Sequence, residues 1–439
     1  MKILNINYLI KCIKKDSTFI PALELLSEIF LLEFKIDDAI TIYKQVLELE
    51  PTRLNKITLA RMYEIKQKDI AIDMYKDLLR NGEDESLLLR LANLYQDTGD
   101  TNNYIITLER IIKISPTNLP VAIYLLESYF KSKQYNNAFS LLSKIEITIP
   151  STELASAYGY IGEWMIRDSN DIIKQYIPRY LDKVKNNFQI EWNLNFLSGY
   201  LANRIADTAA TDRFFNRSLL LADSIPDVPL QISLFYIQNK KAKKGLKILY
   251  NYPDFIAANS RFSLFISLAY LDLDSSDRAI DYLWHGHRLD SNNIEILSQL
   301  GLLYDRKNLY DSSDFFYERG LKLSPNDPLI NNNYAYSLSV RGIQLQRALT
   351  MIQIAISADS DNSSYLDTYG WILYKLGNYN DALEYILKVI QKKDATAEVF
   401  EHLGDIYYDM GKFSEAKDAW HRALELDPDR EAVIERLKR

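Results

Sequence analysis

The stretch Ala397-Glu398-Val399-Phe400-Glu401-His402-Leu403-Gly404-Asp405-Ile406-Tyr407-Tyr408-Asp409-Met410-Gly411-Lys412-Phe413-Ser414-Glu415-Ala416-Lys417-Asp418-Ala419-Trp420-His421-Arg422-Ala423-Leu424-Glu425-Leu426-Asp427-Pro428-Asp429-Arg430 decides the fold. It reads as two helices around a turn at Gly411. The bulky residues Phe400, Leu403, Tyr407 and Trp420 alternate with the small residues Gly404, Ala416 and Ala423 at helical spacing. Glycine inside a helix costs about 1 kcal/mol relative to alanine, so Gly404 implies a close helix crossing. Pro428 cannot continue the helix before it.

The same pattern recurs backwards along the chain. Leu366, Gly370, Gly377 and Ala382 hold its places in 363–396; Leu297, Leu300, Gly301, Tyr304, Tyr317, Gly320 and Pro325 hold them in 294–327. Unit 328–362 has one extra turn residue, around Ala335, Gly342, Ala348 and Ala355. Tyr270, Ala279 and Gly286 hold its places in 260–293, and units 226–259 and 192–225 keep the step with weaker signatures. Towards the N-terminus come 119–152 and 85–118, then 53–84, which is two residues short, and 20–52. Residues 5–17 read as the second helix of a partial unit. Only 153–191 breaks the phase: it is too long, and Asp171 to Phe188 lacks small residues at the expected places.

A repeat of about 34 residues with this helix–turn–helix pattern resembles the tetratricopeptide repeat (TPR) family. The resemblance implies an all-α, right-handed α-α superhelix, a TPR solenoid of about eleven to twelve helical hairpins with a C-terminal capping helix over residues 431–439. The expected organisation is an N-terminal array over 1–152, a degenerate repeat or joint over 153–191, and a C-terminal array with its cap over 192–439. One hairpin cannot bury its own apolar face, but stacked neighbours can.

Composition fits this reading. The 439 residues include 14 Gly and 12 Pro, fewer than a chain of several globular domains would need for turns and linkers. The net charge of −7 argues against nucleic-acid binding. With no apolar run near the ~20 residues of a membrane span, no membrane insertion is expected. The first residues lack the 7–15-residue apolar stretch of a signal peptide, so a cytoplasmic location is expected. A periplasmic or envelope-associated location is the alternative if the N-terminus is incomplete.

The single cysteine, Cys12, excludes an intramolecular disulfide and is expected to fill a small-residue packing place. His285 and His287, two residues apart, point about 200° away from each other on a helix and cannot chelate one metal. No phosphate-binding loop, dinucleotide fingerprint, HExxH or GxSxG motif is present. No catalytic residue, cofactor or metal is therefore expected.

What remains is a binding surface. In TPR proteins ligands usually lie on the concave face, lined by positions 2, 5, 9, 12 and 13 of each first helix. Here those positions combine rings with carboxylates, and Tyr336, Asp367, Trp371, Tyr374, Asp405 and Tyr408 form the candidate site. Aromatic residues are enriched at binding hot spots, and carboxylates beside them favour a basic or amide-rich segment. The same rings would also serve to pack one repeat on the next.

The expected function is a non-catalytic protein–protein interaction scaffold that binds a protein or peptide. The alternative is the non-catalytic arm of an enzyme or cell-envelope assembly, such as a glycosyltransferase or polymer export complex. Self-association into a homodimer through terminal repeats is a further expectation. The carboxylate clamp of chaperone-binding TPR domains needs Lys and Asn at positions 5 and 9 of one first helix. Asn93 stands at position 9 beside Leu89 at position 5, so that clamp is not expected. The run from Tyr365 to Gly377, with Leu366-Asp367-x-x-Gly370-Trp371-x-x-Tyr374, resembles bacterial TPR proteins, many of them exported to the envelope or lipid-anchored.

Overall fold

A computed structural model describes residues 6–392 and 395–438. The described residues form helices and no strands. Twelve antiparallel helical hairpins follow one another, from Ile20–Leu32 with Ile36–Leu49 to Ala397–Asp409 with Phe413–Leu426. Helix Ile6–Lys15 precedes them and helix Glu431–Leu437 follows them. The contacts divide into two compact units, one running to Asp223 and the other beginning at Ser224. Each unit is an α-α solenoid. Within it a helix packs on its hairpin partner, and first helices pack on first helices, as Ile294–Arg306 does on Pro328–Val340 and Pro328–Val340 on Ser363–Lys375.

The local chemistry explains where the helices begin and turn. Several first helices open on a side-chain cap: Thr52, Asp84, Asn118, Asn293, Asp327 and Asn362 each accept a hydrogen bond from a backbone N–H one turn inside. A cap of this kind contributes about 1 kcal/mol. The turn inside the hairpin is equally regular. Position 15 of ten units adopts a left-handed backbone: Phe34, Gly99, Lys133, Ala206, Lys240, Asp274, Asn308, Gly342, Gly377 and Gly411. In the short unit 53–84 only Gln67 separates the helices, and its backbone is not left-handed. The extra residue of 328–362 lies in the same turn, where Gln344 is a second left-handed residue.

The mid-helix glycines are crossings, as their cost implied. A Cβ on Gly404 would run into the Trp420 ring, and one on Gly301 would lie 2.7 Å from Tyr317. In 153–191 the extra length is a 3-10 turn, Asp171–Gln175, before helix Ile177–Asn187. Where a small residue is absent, Tyr180 fits against Gly162, and its hydroxyl donates to the Tyr158 carbonyl at 3.0 Å. This segment contributes Ile173, Ile177, Tyr180 and Val184 to the core of the first unit.

Cys12 corrects an expectation. It is exposed on helix Ile6–Lys15, which docks through Leu9 on Ala22 and Leu26 instead. His287 is buried beside Trp284 and Phe316, while His285 bonds Ser263 at 2.8 Å. Asn5 and Arg439 lie outside the described residues.

Candidate binding groove

Three consecutive first helices of the second unit, Pro328–Val340, Ser363–Lys375 and Ala397–Asp409, line a groove of about 440 Å³. Helix repeats of nearly constant length put the same positions side by side. Tyr336 and Val340, Trp371, Tyr374 and Lys375, and Glu398, Glu401, Asp405, Tyr408 and Asp409 all face it. Five of the six candidate residues are therefore brought together. The sixth, Asp367, lies beneath, with its carboxylate committed to His402.

The floor is an aromatic stack. Trp371, only 7% exposed, lies on the His402 ring at 4.1 Å between centroids and 20° between planes. Lys375 Nζ sits 4.5 Å from the centre of the indole ring and 5.5 Å from that of Tyr374. Trp371 Nε1 is buried without an acceptor. Tyr408, 41% exposed, forms the rim and touches Phe413 and Trp420 by ring edges and tilted faces.

Every carboxylate along the groove has an internal partner. Asp367 accepts from His402 Nδ1 at 2.9 Å, Asp409 from the Tyr374 hydroxyl at 2.8 Å, and Asp405 from Trp420 Nε1 at 3.1 Å. Glu398 accepts from the Tyr336 hydroxyl, a bond that spans two repeats. Glu401 holds two guanidinium groups: Arg430, at 2.7 Å, and Arg436. Arg436 also reaches Asp405 at 2.9 Å.

These contacts set the protonation states. Burial is the largest influence on the His402 imidazole and pushes its pKa down; Asp367, with Glu398 and Glu401 behind it, more than offsets this and holds it above its ordinary value. Burial pushes the Asp405 carboxyl up to about 6, against the pull of Arg436 and the Trp420 N–H. For Glu401 burial again acts upward, but the two arginines win and keep it below the usual range. Burial and Glu398 together raise the Tyr336 hydroxyl.

Sequence reasoning missed His402, Arg430 and Arg436. His402 stands at position 6, which the concave-face rule does not include. The one available signal was its place one repeat plus one residue after Asp367, the interval that joins adjacent first helices here. Among the described residues no group of three or more His, Cys, Asp or Glu side chains is arranged to hold a metal ion. None of the described helices is long and apolar enough to cross a membrane.

Sequence profiles of the tetratricopeptide repeat match residues 85–118, 294–327, 363–391 and 397–430, opening on the same residues as the units read from the sequence. The chain carries tetratricopeptide repeats. A TPR repeat-containing protein of Methanocaldococcus jannaschii is 22% identical over 426 residues, which are 94% of this chain and 70% of that protein. Among solved structures, yeast Tom70 is 16% identical, with 96% of this chain and 95% of that chain covered and a TM-score of 0.41. A tetratricopeptide repeat protein from Parabacteroides merdae is 15% identical, with 56% and 97% covered and a TM-score of 0.44. The groove is formed by unit 328–362 and the matched repeats 363–391 and 397–430, and a TPR fold is in general a protein-binding scaffold.

Proposed function

We propose that this chain is a non-catalytic scaffold that binds an extended, basic protein segment in the groove of its last three repeats. The observation that carries the reading is the convergence of ring-bearing and carboxylate-bearing positions from three successive first helices on one open trough. Rings offer large contact area at low entropic cost, and the surrounding carboxylates disfavour acidic partners. The net charge of −7 extends the same preference over longer range.

The test replaces groove residues that are not fully buried. Tyr374→Ala with Tyr408→Ala, in the full chain, is expected to lose the proteins that the unaltered chain captures from its native lysate, while helical content stays the same. Capture of the same proteins in the same amounts by both chains would refute the groove as the binding site.

A further inference from the structure

The groove is already partly filled by the chain itself. Arg430 lies just before helix Glu431–Leu437 and Arg436 lies within it, and together they claim the Glu401 and Asp405 carboxylates. Arg430 Nε donates to Glu401 Oε2 at 2.8 Å, and Arg436 bridges from Glu401 to Asp405 Oδ2. Glu401 and Asp405 face the groove with only 14% and 8% of their side-chain surface accessible. This is the contact an arginine of a bound segment would make: planar, forked and charge-assisted.

The helix that delivers these arginines is weakly held otherwise. It has seven residues, far short of the ~12–15 that give an isolated helix even marginal stability. Val433 is its one buried residue, packed with Ala416, Trp420 and Ala423. Helix Phe413–Leu426 beside it buries four residues, Trp420 among them. Beyond Val433 and the half-buried Leu437, which packs on the same cluster, the short helix is held by the two arginine contacts, and these are also contacts a ligand would need.

We propose that helix Glu431–Leu437 is an internal competitor of the groove, and that the segment it excludes binds through an arginine side chain on Glu401 and Asp405. The proposal rests on the groove reading above and adds its ligand chemistry and its regulation. A partner must displace the helix, so its apparent affinity is lowered by the fraction of time the helix is docked. If that fraction is about nine-tenths, releasing the helix tightens binding about 10-fold.

The test uses the full chain and a defined probe, the acetylated and amidated peptide Gly-Arg-Gly-Arg-Gly, with its citrulline counterpart as the neutral isostere. Binding is followed by calorimetry, and docking of residues 431–437 by amide exchange. Arg430→Gln with Arg436→Gln is expected to tighten the arginine peptide about 10-fold and to speed exchange across 431–437. Glu401→Gln is expected to speed the same exchange but to weaken the peptide. The two sides of one ion pair thus move affinity in opposite directions, which a purely structural role would not do. Arg436→Lys, which keeps the charge without the fork, is expected to fall between wild type and the double variant. Equal or weaker peptide binding by the double arginine variant overturns the competitor. Binding of the citrulline peptide as tight as that of the arginine peptide, or failure of every chain to bind the arginine peptide, overturns the arginine chemistry. Either result leaves the groove reading intact if Tyr374→Ala with Tyr408→Ala still abolishes capture from the lysate.

Discussion

At the scale of single residues, the His402–Asp367 pair and Asp405 set the behaviour of the groove floor. Both members of the pair are buried, so removing one strands the other's charge. His402→Leu is expected to cost about 3 kcal/mol or more, and Asp367→Asn should recover part of that loss in the double variant. A double-mutant cycle on urea-induced unfolding of the C-terminal repeats measures the coupling; strictly additive losses would show that the pair is not one unit. Asp405 gives a pH dependence with a defined sign. Its folded value of about 6 lies above the ~3.9 of an unfolded aspartate. Between these values the native state binds more protons, so stability falls as pH rises through that interval. His402 works in the same direction at higher pH: its contribution is complete below its ordinary value and is lost as pH rises through its raised folded value. Glu401 works the opposite way and loses its contribution as pH falls below the ordinary carboxylate range. Asp405→Asn should therefore flatten the decline in melting temperature between pH 4.5 and 6.5. Identical slopes in both chains would remove Asp405 from the account.

At the scale of the helical hairpin, the sequence pattern and the structure meet at position 15. Glycine marked the turn at Gly99, Gly342, Gly377 and Gly411. The same left-handed backbone at Phe34, Lys133, Ala206, Lys240, Asp274 and Asn308 carried no such mark. The physical reason is magnitude: an L-residue in that conformation loses roughly 1–2 kcal/mol, which the packing of a hairpin readily absorbs. Lys133→Gly should thus stabilise the first unit by about 0.5 kcal/mol, the relief of strain less the added freedom of the unfolded chain. Lys133 is exposed, so nothing else is lost. A lowered melting temperature would mean that its left-handed backbone is unstrained. The groove was legible to the same degree. Positions 9, 12 and 13 of successive first helices met as the repeat requires. His402 was not legible because position 6 lies outside the concave-face positions, and Arg430 and Arg436 were not because they fall in the last residue of the repeat and in the helix beyond it. The periodicity of a repeat predicts only what every repeat shares.

At the scale of the whole molecule, stability is distributed along the chain in nearest-neighbour steps. A repeat array behaves approximately as a sum of repeat stabilities and interface terms, so damage spreads from its origin and fades. Gly404 is a suitable place to introduce damage. A methyl there meets the Trp420 ring, and Trp420 packs on Ala416, Ala423 and Val433. Overpacking of this kind costs roughly 1–3 kcal/mol, more than the ~1 kcal/mol that alanine gains in helix propensity. Gly404→Ala is therefore expected to be destabilising although it improves the helix locally. Amide exchange should accelerate most in 397–437, less in 363–391, and little across 260–289. Helices of the first unit such as Glu85–Thr98 should keep their protection. Loss of protection at equal rates in both units would mean that the chain unfolds as one cooperative body, and the step-by-step account of its stability would fail with it.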